Sequence, residues 1–279
     1  MAVGDITNFS EIRAAMLGCD SVVHACSTHT YNLPPERFWA INVGGTCNVC
    51  DAAKELRCDK VLLTSTISTL LAPTCDATTT GPLPNWPARQ LMSISKRAAE
   101  HEVLVRVEKG LPAIIVNPSY FVGPYDYSPS PFRLWAPLAV RMPIAFVPSG
   151  GFNVIGAQDV SRACVWALNH GTVGTRYPVV GRNIDLVEYV TILNRAAGRD
   201  VVPRPLSASL LRWVAVGKVF DRYAVDLITK GNYVFEQHSV PIERDPLEEV
   251  VSRTVRWFRE ESRLVGLYSL ARYTWARYC

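Results

Sequence analysis

Apolar, strand-like runs alternate with helical patterns over the first two-thirds of the chain. Three runs predict buried strands: SVVHA at residues 21–25, KVLLTST at 60–66 and AIIVNPS at 113–119. Helical patterns near residues 35–56 and 89–109 separate them. Strands that alternate with crossover helices are typical of a parallel sheet, because parallel neighbours need a long connection. The alternation therefore predicts an α/β fold.

A short helix is predicted before the first strand, in NFSEIRAAMLG. Asn8 and Glu11 have the spacing of a capping box, in which two side chains satisfy free amides at the start of a helix. Gly18 then predicts where the helix ends, since glycine is the usual residue just after a helix.

After about residue 125 the pattern changes. Short strand-like runs (IAFV, FNVI and TRYPVV) mix with helical patterns near residues 159–169, 186–197, 208–220 and 246–261. We predict a first domain at residues 1–125, joined by a segment near 152–170 that returns to it. Residues 126–279 would form a smaller lobe that ends in a basic, aromatic tail. Such a lobe would cover the carboxyl edge of the sheet, where ligands of open α/β sheets bind.

Composition excludes several classes of protein. The net charge of +4 over 279 residues is too small to indicate binding to nucleic acid. No apolar run reaches the ~18 residues of a membrane-spanning helix, and the N-terminus lacks the basic start and apolar middle of a signal peptide. We therefore expect a cytoplasmic protein. The tail RLVGLYSLARYTWARYC could contact a membrane surface or a second subunit, although such tails more often pack on their own domain or fray.

The eight cysteines do not indicate a metal site. Only Cys47 and Cys50 form a C-x-x-C pair, inside a helical pattern, and no second pair follows at the spacing of metal ligands. The five histidines are scattered along the chain. We expect small buried side chains and free thiols in a reducing compartment, with no bound metal.

Five segments together resemble the extended short-chain dehydrogenase/reductase family, the NAD-dependent epimerases and dehydratases. The closest branches are the dihydroflavonol-reductase-like enzymes and the hopanoid-associated sugar epimerases. The resemblance implies a Rossmann domain that binds NAD or NADP and a smaller substrate lobe. It also implies oxidoreductase or epimerase chemistry at a hydroxyl or carbonyl group of a small organic or sugar-like substrate. The segments keep the family's order from residue 4 to about residue 200: GDITNFSEIRAAMLGCDSVVHAC, INVGGTCNVCDAAKELRCDKVLLTSTIST, SISKRAAEHEVL, GLPAIIVNPSYFVGPYDYSPSP and NVIGAQDVSRACVWALNHGTVGTRYPVVGRN.

The resemblance implies roles for individual residues. Thr66, in LLTSTIST, corresponds to the catalytic hydroxyl, with Ser65 as a neighbour. Lys96, in SISK, corresponds to the lysine that holds the nicotinamide ribose and lowers the pKa of the catalytic acid. The residues implied at the substrate pocket are Ser68, Tyr120, Tyr125 and Phe132. The residues implied at the cofactor are Asp5, Ile6, Ala25, Cys26, Lys96, Asn117, Pro118 and Ser119.

Several of these residues have structural alternatives. The hydroxyls of residues 64–69 could satisfy only local backbone groups at a strand end. A lone lysine on a helix usually faces solvent, so Lys96 gains its role from its place in the motif. Asn42 would hydrogen-bond backbone where a helix approaches the sheet, and Trp135 could line the pocket or belong to an aromatic core. Asp159 is expected to be the N-cap of the helix VSRACVWAL rather than a catalytic carboxylate.

Met92 occupies the position of the tyrosine in the family's Y-x-x-x-K motif. The tyrosine hydroxyl transfers a proton to or from the substrate oxygen, and a thioether has no proton to transfer. No lysine of the sequence has a tyrosine four residues before it. Loss of a general acid lowers the rate by about 10²–10⁴-fold. Tyr120 or Tyr125, in a nearby loop, is the alternative source of the proton.

The glycine-rich G-x-x-G-x-x-G turn that holds the cofactor pyrophosphate is absent from the sequence. MAVGDI corresponds to the end of the family's third strand, so we expect the first β-α-β unit to be missing and the chain to be N-terminally truncated. Binding of a dinucleotide is then expected to be weak or absent. The replacement at Met92 is independent of the truncation.

Two functional hypotheses follow. The first is an NAD(P)-dependent oxidoreductase or epimerase of impaired activity. The second is a non-catalytic binding or interaction module on a Rossmann scaffold. For the enzyme we expect a small-molecule substrate and no nucleic-acid partner. The family's dimers imply a possible homodimer that uses the helical segments near residues 35–56 and 89–109.

Overall fold

The computed structural model describes residues 2–28, 33–71, 88–126, 135–206 and 240–264. The chain divides into two compact units. Unit 1 comprises Met1–Ser119, Ser161–Val179 and His238–Ile242. Unit 2 comprises Tyr120–Val160, Val180–Gln237 and Glu243–Cys279. Phe132, the helix predicted near residues 208–220 and the aromatic tail lie outside the described residues.

Unit 1 is built on a parallel sheet. Its strands are β1 (Ser21–His24), β2 (Lys60–Thr64), β3 (Ala113–Pro118) and β7 (Arg176–Val179), in the order β1-β2-β3-β7. Val22 pairs with Val61, Val61 with Ala113, and Ile115 with Arg176. Every neighbouring pair is parallel, so the expected α/β fold with a parallel sheet is confirmed.

The last strand of this sheet differs from the sequence prediction. We placed the run TRYPVV in the smaller lobe, whereas residues 176–179 form β7 beside β3. The element before it is helix α7 (Ala157–His170). A helix between two strands is the crossover connection that a parallel neighbour requires, so the run returns to the first sheet.

Helices occupy the connections between these strands. α1 (Phe9–Ala15) precedes β1, and α2 (Pro35–Trp39), a π-helical turn (Ala40–Gly44) and α3 (Gly45–Glu55) lie between β1 and β2. α4 (Ser68–Leu71) and α5 (Ala88–Glu108) lie between β2 and β3. Both predicted helical segments are therefore present, and the first is divided by the π-helical turn. The apolar core includes Val49, Ala52, Val61, Leu63, Val103 and Ile115.

Helix α1 begins where its sequence predicts. Asn8 is the N-cap, and its Oδ1 accepts hydrogen bonds from Ser10 N (3.1 Å) and Glu11 N (3.4 Å). The second half of the capping box differs, because Asn8 N donates to Asp5 O instead. Glu11 accepts from Asp5 N and from Asn8 Nδ2, each at 2.7 Å. Gly18 follows the helix in a left-handed conformation, with φ of 77°.

Unit 2 contains small sheets and the helices that cover them. β6 (Gly151–Gly156) pairs with parallel β4 (Tyr120–Val122) and antiparallel β8 (Arg182–Asp185), and β5 (Phe146–Pro148) pairs with β9 (Arg204–Leu206). The helices are α6 (Trp135–Arg141), α8 (Leu186–Ala196) and α9 (Leu247–Leu264). Phe152, Tyr189 and Phe258 are buried in its core. Over the described ranges, no helix is both long enough and apolar enough to cross a membrane.

Two polar or aromatic candidates have structural roles in unit 2. Asp159 is not the N-cap expected from the sequence, because α7 begins at Ala157 and Asp159 lies in its first turn. A carboxylate in a first turn is favoured by the helix dipole. Asp159 is buried, and its Oδ1 accepts from Asp245 N at 3.2 Å. Trp135 is buried in the apolar cluster, as the aromatic-core alternative predicts.

Candidate active site

One face of the sheet in unit 1 changes from apolar to polar at the carboxyl ends of the strands. Side chains alternate along a strand, so Val61, Leu63 and Ser65 point to the same face. The corresponding buried set on β3 is Ala113, Ile115 and Asn117. Leu63 pairs with Ile115, so the polar residue that follows each of them enters the same layer.

Glu100, on α5, closes this polar layer. The residue is 1% exposed. Its Oε1 accepts from Ser65 Oγ, from Thr69 Oγ1 (2.7 Å) and from Asn117 Nδ2 (2.7 Å). Its Oε2 accepts from Arg176 Nε at 2.7 Å. A carboxylate tolerates such burial only when it is paired and hydrogen-bonded in this way.

Lys96 lies one helical turn before Glu100 on α5. Lys96 is buried, and its Nζ donates to Thr64 O at the end of β2 (2.9 Å). Burial lowers the pKa of Lys96 to about 8, and the negative charge of Glu100 opposes part of that shift. The amine therefore lies inside the unit, which excludes the solvent-facing alternative for this lysine.

The Thr66 hydroxyl does not bind Glu100. It is half-buried, and its Oγ1 donates to Ser68 Oγ (3.3 Å) and accepts from Ser68 N (3.4 Å). Ser65 and Thr69 both direct their hydroxyls to the carboxylate. The Thr66 and Ser68 hydroxyls thus lie together, apart from the buried cluster.

Two polar atoms at the end of β3 are buried without a partner. Within the described part of the chain, Asn117 Oδ1 and Ser119 Oγ are the buried side-chain atoms that make no hydrogen bond. Asn117 is 0% exposed and Ser119 is 3% exposed. Pro118 lies between them and ends β3. An unsatisfied buried polar atom destabilises a protein by about 1–3 kcal/mol, so a bound water or ligand group is expected there.

Strand β1 ends beside Lys96. His24, its last residue, is buried, and its Nε2 lies 2.9 Å from Thr46 Oγ1. The Thr46 hydroxyl donates to a backbone carbonyl, so the imidazole Nε2–H is the donor to it. Burial lowers the pKa of His24 to about 4, with a further contribution from Lys96, so the ring is neutral at pH 7. Partial burial raises the pKa of the nearby Cys26 thiol, which Lys96 opposes in part.

Asn42, in the π-helical turn, supports the segment that follows β1. Its Oδ1 accepts from Thr28 N (2.7 Å), and its Nδ2 donates to Thr28 O (3.0 Å) and to Ser95 Oγ (2.9 Å). Asn42 is buried, and its bonds to backbone are those expected of a helix that approaches the sheet. Because Ser95 precedes Lys96, Asn42 also orients the helix that carries the lysine.

Three of the residues implied at the cofactor lie in the first 25 residues of the chain. Asp5 is exposed and accepts from Thr7 N and Thr7 Oγ1, both at 2.8 Å. These bonds, that of the Thr7 amide first, lower the pKa of Asp5. Ile6 packs against Gly45, where a Cβ would come within 2.9 Å of its Cγ1. Ala25 is exposed after β1. The cofactor role of Asp5, Ile6 and Ala25 stays a prediction.

Met92 lies on α5 one turn before Lys96. The residue is half-buried, and its carbonyl accepts from Ser95 Oγ at 3.1 Å. Residues four apart share one face of a helix, so Met92, Lys96 and Glu100 form a single stripe. The stripe thus holds a thioether, an amine and a carboxylate. It holds no hydroxyl that could act as the general acid.

Two of the residues implied at the substrate pocket belong to unit 2. The ring of Tyr120 meets that of Phe152 edge to face, with centroids 5.4 Å apart, and burial raises the pKa of Tyr120 well above its ordinary value. Tyr125 is 74% exposed, and its ring centroid lies 5.4 Å from that of Trp257. Their place in a pocket with Ser68 stays a prediction.

The C-x-x-C pair is poorly suited to bind a metal. Burial raises the pKa of Cys47 to about 11 and that of Cys50 to about 12, so both are protonated thiols near neutral pH. Metal ligation requires the thiolate. Among the described residues, no three His, Cys, Asp or Glu side chains converge as a metal site would require.

Sequence reasoning missed Glu100 and Arg176. Glu100 has one sequence signal, since it follows Lys96 by four residues and therefore shares its helix face. Arg176 comes 76 residues after Glu100, and no local pattern connects the two. Thr69 was treated only as part of a hydroxyl-rich turn, although it binds the carboxylate.

Known proteins resemble this chain in sequence and in fold. The sequence profile of the NAD dependent epimerase/dehydratase family matches residues 1–180. The chain is 26% identical over 213 residues to a putative dihydroflavonol 4-reductase from Synechocystis sp., and 27% identical over 217 residues to sterol demethylase protein B from Methylococcus capsulatus. These matches cover 72% and 73% of this chain but only 62% of each relative.

The fold has a counterpart among solved structures. A nucleoside-diphosphate-sugar epimerase from Pseudomonas aeruginosa superposes with a TM-score of 0.68 at 20% sequence identity. The match covers 93% of this chain and 82% of that one. At this identity the likeness establishes the Rossmann-type fold of the chain.

Proposed function

This chain belongs to the NAD-dependent epimerase/dehydratase family, and we propose that it is an NAD(P)-dependent oxidoreductase or epimerase of impaired activity. Its substrate is a small organic or sugar-like molecule with a hydroxyl or carbonyl group, as the names of its reductase and epimerase relatives suggest. The observation that carries the proposal is the buried amine of Lys96, held at the carboxyl end of β2 two residues from Thr66. Ligands of such sheets bind at this edge.

The residues of unit 1 fit the nicotinamide end of the cofactor. Asn117 Oδ1 and Ser119 Oγ are buried and unpartnered, and together they offer an acceptor and a hydroxyl to a carboxamide. The Lys96 ammonium can donate to ribose hydroxyls. When bound, the cofactor supplies hydride transfer at the substrate carbon.

Proton transfer is the weak point of this site. Thr66 can hydrogen-bond the substrate oxygen, but the position of the general acid holds Met92. The same observation favours the second candidate function, a non-catalytic binding module that kept the scaffold. The two candidates differ in cofactor affinity and in what a restored hydroxyl does.

The first test is a titration of the protein with NADH and with NADPH, followed by nicotinamide fluorescence. We expect saturable binding that Lys96→Met reduces, because the ammonium that holds the ribose is lost. Lys54→Met is the matched control, since Lys54 is exposed on α3 and its binding curve should equal that of the parent. No binding up to millimolar cofactor would contradict the oxidoreductase and leave the binding module.

The second test restores the missing hydroxyl. Met92→Tyr should raise the rate of cofactor oxidation with carbonyl substrates by about 10²–10⁴-fold, the contribution of a positioned general acid. Met92→Phe is the matched control, because it introduces the same ring without the hydroxyl. Equal rates in the two variants would show that the missing general acid does not limit the rate of cofactor oxidation.

A further inference from the structure

One carboxylate joins five elements of unit 1 at the candidate site. Glu100 stands on α5, and its donors come from the end of β2, from α4, from β3 and from β7. These donors are Ser65, Thr69, Asn117 and Arg176. The residue is 1% exposed, so protein donors rather than solvent satisfy its oxygens. A surface carboxylate needs no such set, which indicates a specific role for this one.

The first consequence of this arrangement concerns the turn that carries Thr66. Ser65, on one side of Thr66, and Thr69, three residues beyond it, both bind Glu100. Asn117 Nδ2, which binds the same carboxylate oxygen, also donates to Thr66 O at 3.2 Å. The backbone of Thr66 is therefore fixed relative to α5. Its hydroxyl is not a partner of Glu100 and contacts Ser68 instead.

The second consequence concerns the charge of Lys96. The titratable groups that face the amine are His24 at the end of β1, Cys26 just after it, and Glu100 on α5 itself. His24 is neutral at pH 7 because its pKa is about 4, and the pKa of Cys26 is raised, which keeps the thiol protonated. Arg176 from β7 binds the far oxygen of the carboxylate. Glu100 follows Lys96 by four residues on the same face of α5, and it is thus the anion that acts on the amine.

We propose that Glu100 is a positioning residue of this site, which fixes the turn of Thr66 and supplies the counter-charge of the Lys96 ammonium. The proposal deepens the proposed function and rests on it for the chemistry that Thr66 and Lys96 perform. Both physical effects exist in the free protein. They can therefore be measured without cofactor or substrate.

The test is the NMR titration of Lys96 in protein with isotope-labelled lysine side chains, the signal being assigned by its loss in Lys96→Met. In the parent, Lys96 should titrate well below the ordinary lysine pKa of 10.5. Glu100→Gln keeps the size of the side chain and removes its charge. The titration should then shift further down by about 1 unit or more, because an opposite charge near a buried group changes its pKa by about 1–3 units.

Glu102→Gln is the matched control for the loss of a negative charge on α5. The Glu102 side chain is 38% exposed and pairs with Arg106 at 2.6 Å, and it is not among the charges that act on Lys96. The pKa of Lys96 in Glu102→Gln should equal that in the parent. The backbone amide signals of residues 65–69 should move in Glu100→Gln and stay in place in Glu102→Gln, since only Glu100 binds the turn.

Either of two results in these variants overturns the proposal: a Lys96 titration that is unchanged in Glu100→Gln, or one that moves equally in Glu102→Gln. Glu100→Asp keeps the charge on a shorter side chain, so Lys96 should titrate closer to the parent value there than in Glu100→Gln. If Glu100→Gln does not fold, Glu100→Asp decides. Because Glu100→Asp keeps the negative charge, a Lys96 titration more than about 1 unit below the parent in that variant contradicts the counter-charge.

Failure of this proposal is distinct from failure of the proposed function. If Lys96 responds to Glu100 while neither nicotinamide cofactor binds, Glu100 has its positioning role and the chain is not the enzyme proposed above. If cofactor binds while Lys96 is indifferent to Glu100, the enzyme stands and the positioning role is wrong.

Discussion

Two halves of the same sheet face in unit 1 differ in the polarity of their side chains. In the first half, Val61 and Leu63 lie in the apolar core. Two residues beyond Leu63, Ser65 points the same way but donates to Glu100. Helix α5 covers both halves, since it places Val103 in the apolar core and Glu100 in the polar cluster. The change from apolar to polar takes one repeat of the strand.

The difference separates the residues that stabilise the fold from those that orient the site. Apolar burial contributes about 25 cal/mol per Å² and has no direction. Hydrogen bonds between buried groups contribute only about 0.5–1.5 kcal/mol each, because water bonds are lost, but they fix angles and distances. The apolar half should therefore dominate the free energy of unfolding. The polar half should determine where Thr66 and Lys96 lie.

The largest expected effect compares Leu63 with Ser65. Leu63→Ala should lower the free energy of unfolding by about 2–5 kcal/mol, because Leu63 is 1% exposed and its loss leaves a cavity. Ser65→Ala removes one donor to Glu100, and Thr69 and Asn117 still bind the same oxygen. Its loss should be about 1 kcal/mol. Urea denaturation measures the free energy of unfolding of both variants. Equal decreases would contradict the conclusion that the apolar half contributes more to stability than the polar half.

The next prediction concerns His24 at the end of β1, which pairs with Leu63 at the boundary between the apolar and polar halves. The pKa of His24 falls from 6.5 to about 4 on folding, so the unfolded chain binds more protons between these values. The contribution of the neutral His24 to the free energy of unfolding is therefore fully present above pH 6.5 and is lost as pH drops towards 4. The total loss is about 3 kcal/mol, at 1.36 kcal/mol per unit of pKa.

The measurement is urea denaturation of the parent and of His24→Asn at several pH values from 7 to 4. Carboxylates titrate in both proteins, so the difference between the two curves isolates the histidine. That difference should shrink by up to about 3 kcal/mol as the solution is acidified. A difference that does not vary with pH would mean that the pKa of His24 is the same in the folded and unfolded states, so that burial does not keep the imidazole neutral as the solution is acidified.

Much of unit 1 could be predicted from the sequence because its signals are local. The strand runs ended within one or two residues of β1, β2 and β3, since each is a short apolar run next to a helical pattern. The N-cap at Asn8 was predicted from a spacing of three residues. β7 was misplaced because its pairing with β3 joins distant parts of the chain, and strand pairing leaves no local pattern.

The candidate site could be predicted only where a motif named the residue. Lys96 and Thr66 came from SISK and LLTSTIST, and the structure places Lys96 at the strand end that leads to Thr66. Glu100 and Arg176 were missed because their meaning depends on a contact across the fold. Asp159 was assigned to the wrong position of its helix, because a first-turn carboxylate and an N-cap differ by a few residues and sequence locates helix ends poorly.

The smallest expected effect tests whether the polar half also depends on Asn42. Asn42→Ala removes a buried side chain and its hydrogen bonds to Thr28 N and Thr28 O, so the free energy of unfolding should fall by about 1–3 kcal/mol. Asn48→Ala is the matched control, because Asn48 is half-buried and makes a single bond, to Ile6 O at 2.9 Å. Its loss should be about 1 kcal/mol or less.

Urea denaturation of the two asparagine variants gives the comparison directly. Asn42 also donates a hydrogen bond to Ser95, the residue before Lys96. The backbone amide NMR signals of residues 95–97 should therefore move in Asn42→Ala and stay in place in Asn48→Ala. Equal losses of stability with undisturbed signals would mean that the π-helical turn contributes nothing to the position of Lys96. Glu100 on α5 would then be the residue that positions the polar half, without a contribution from Asn42.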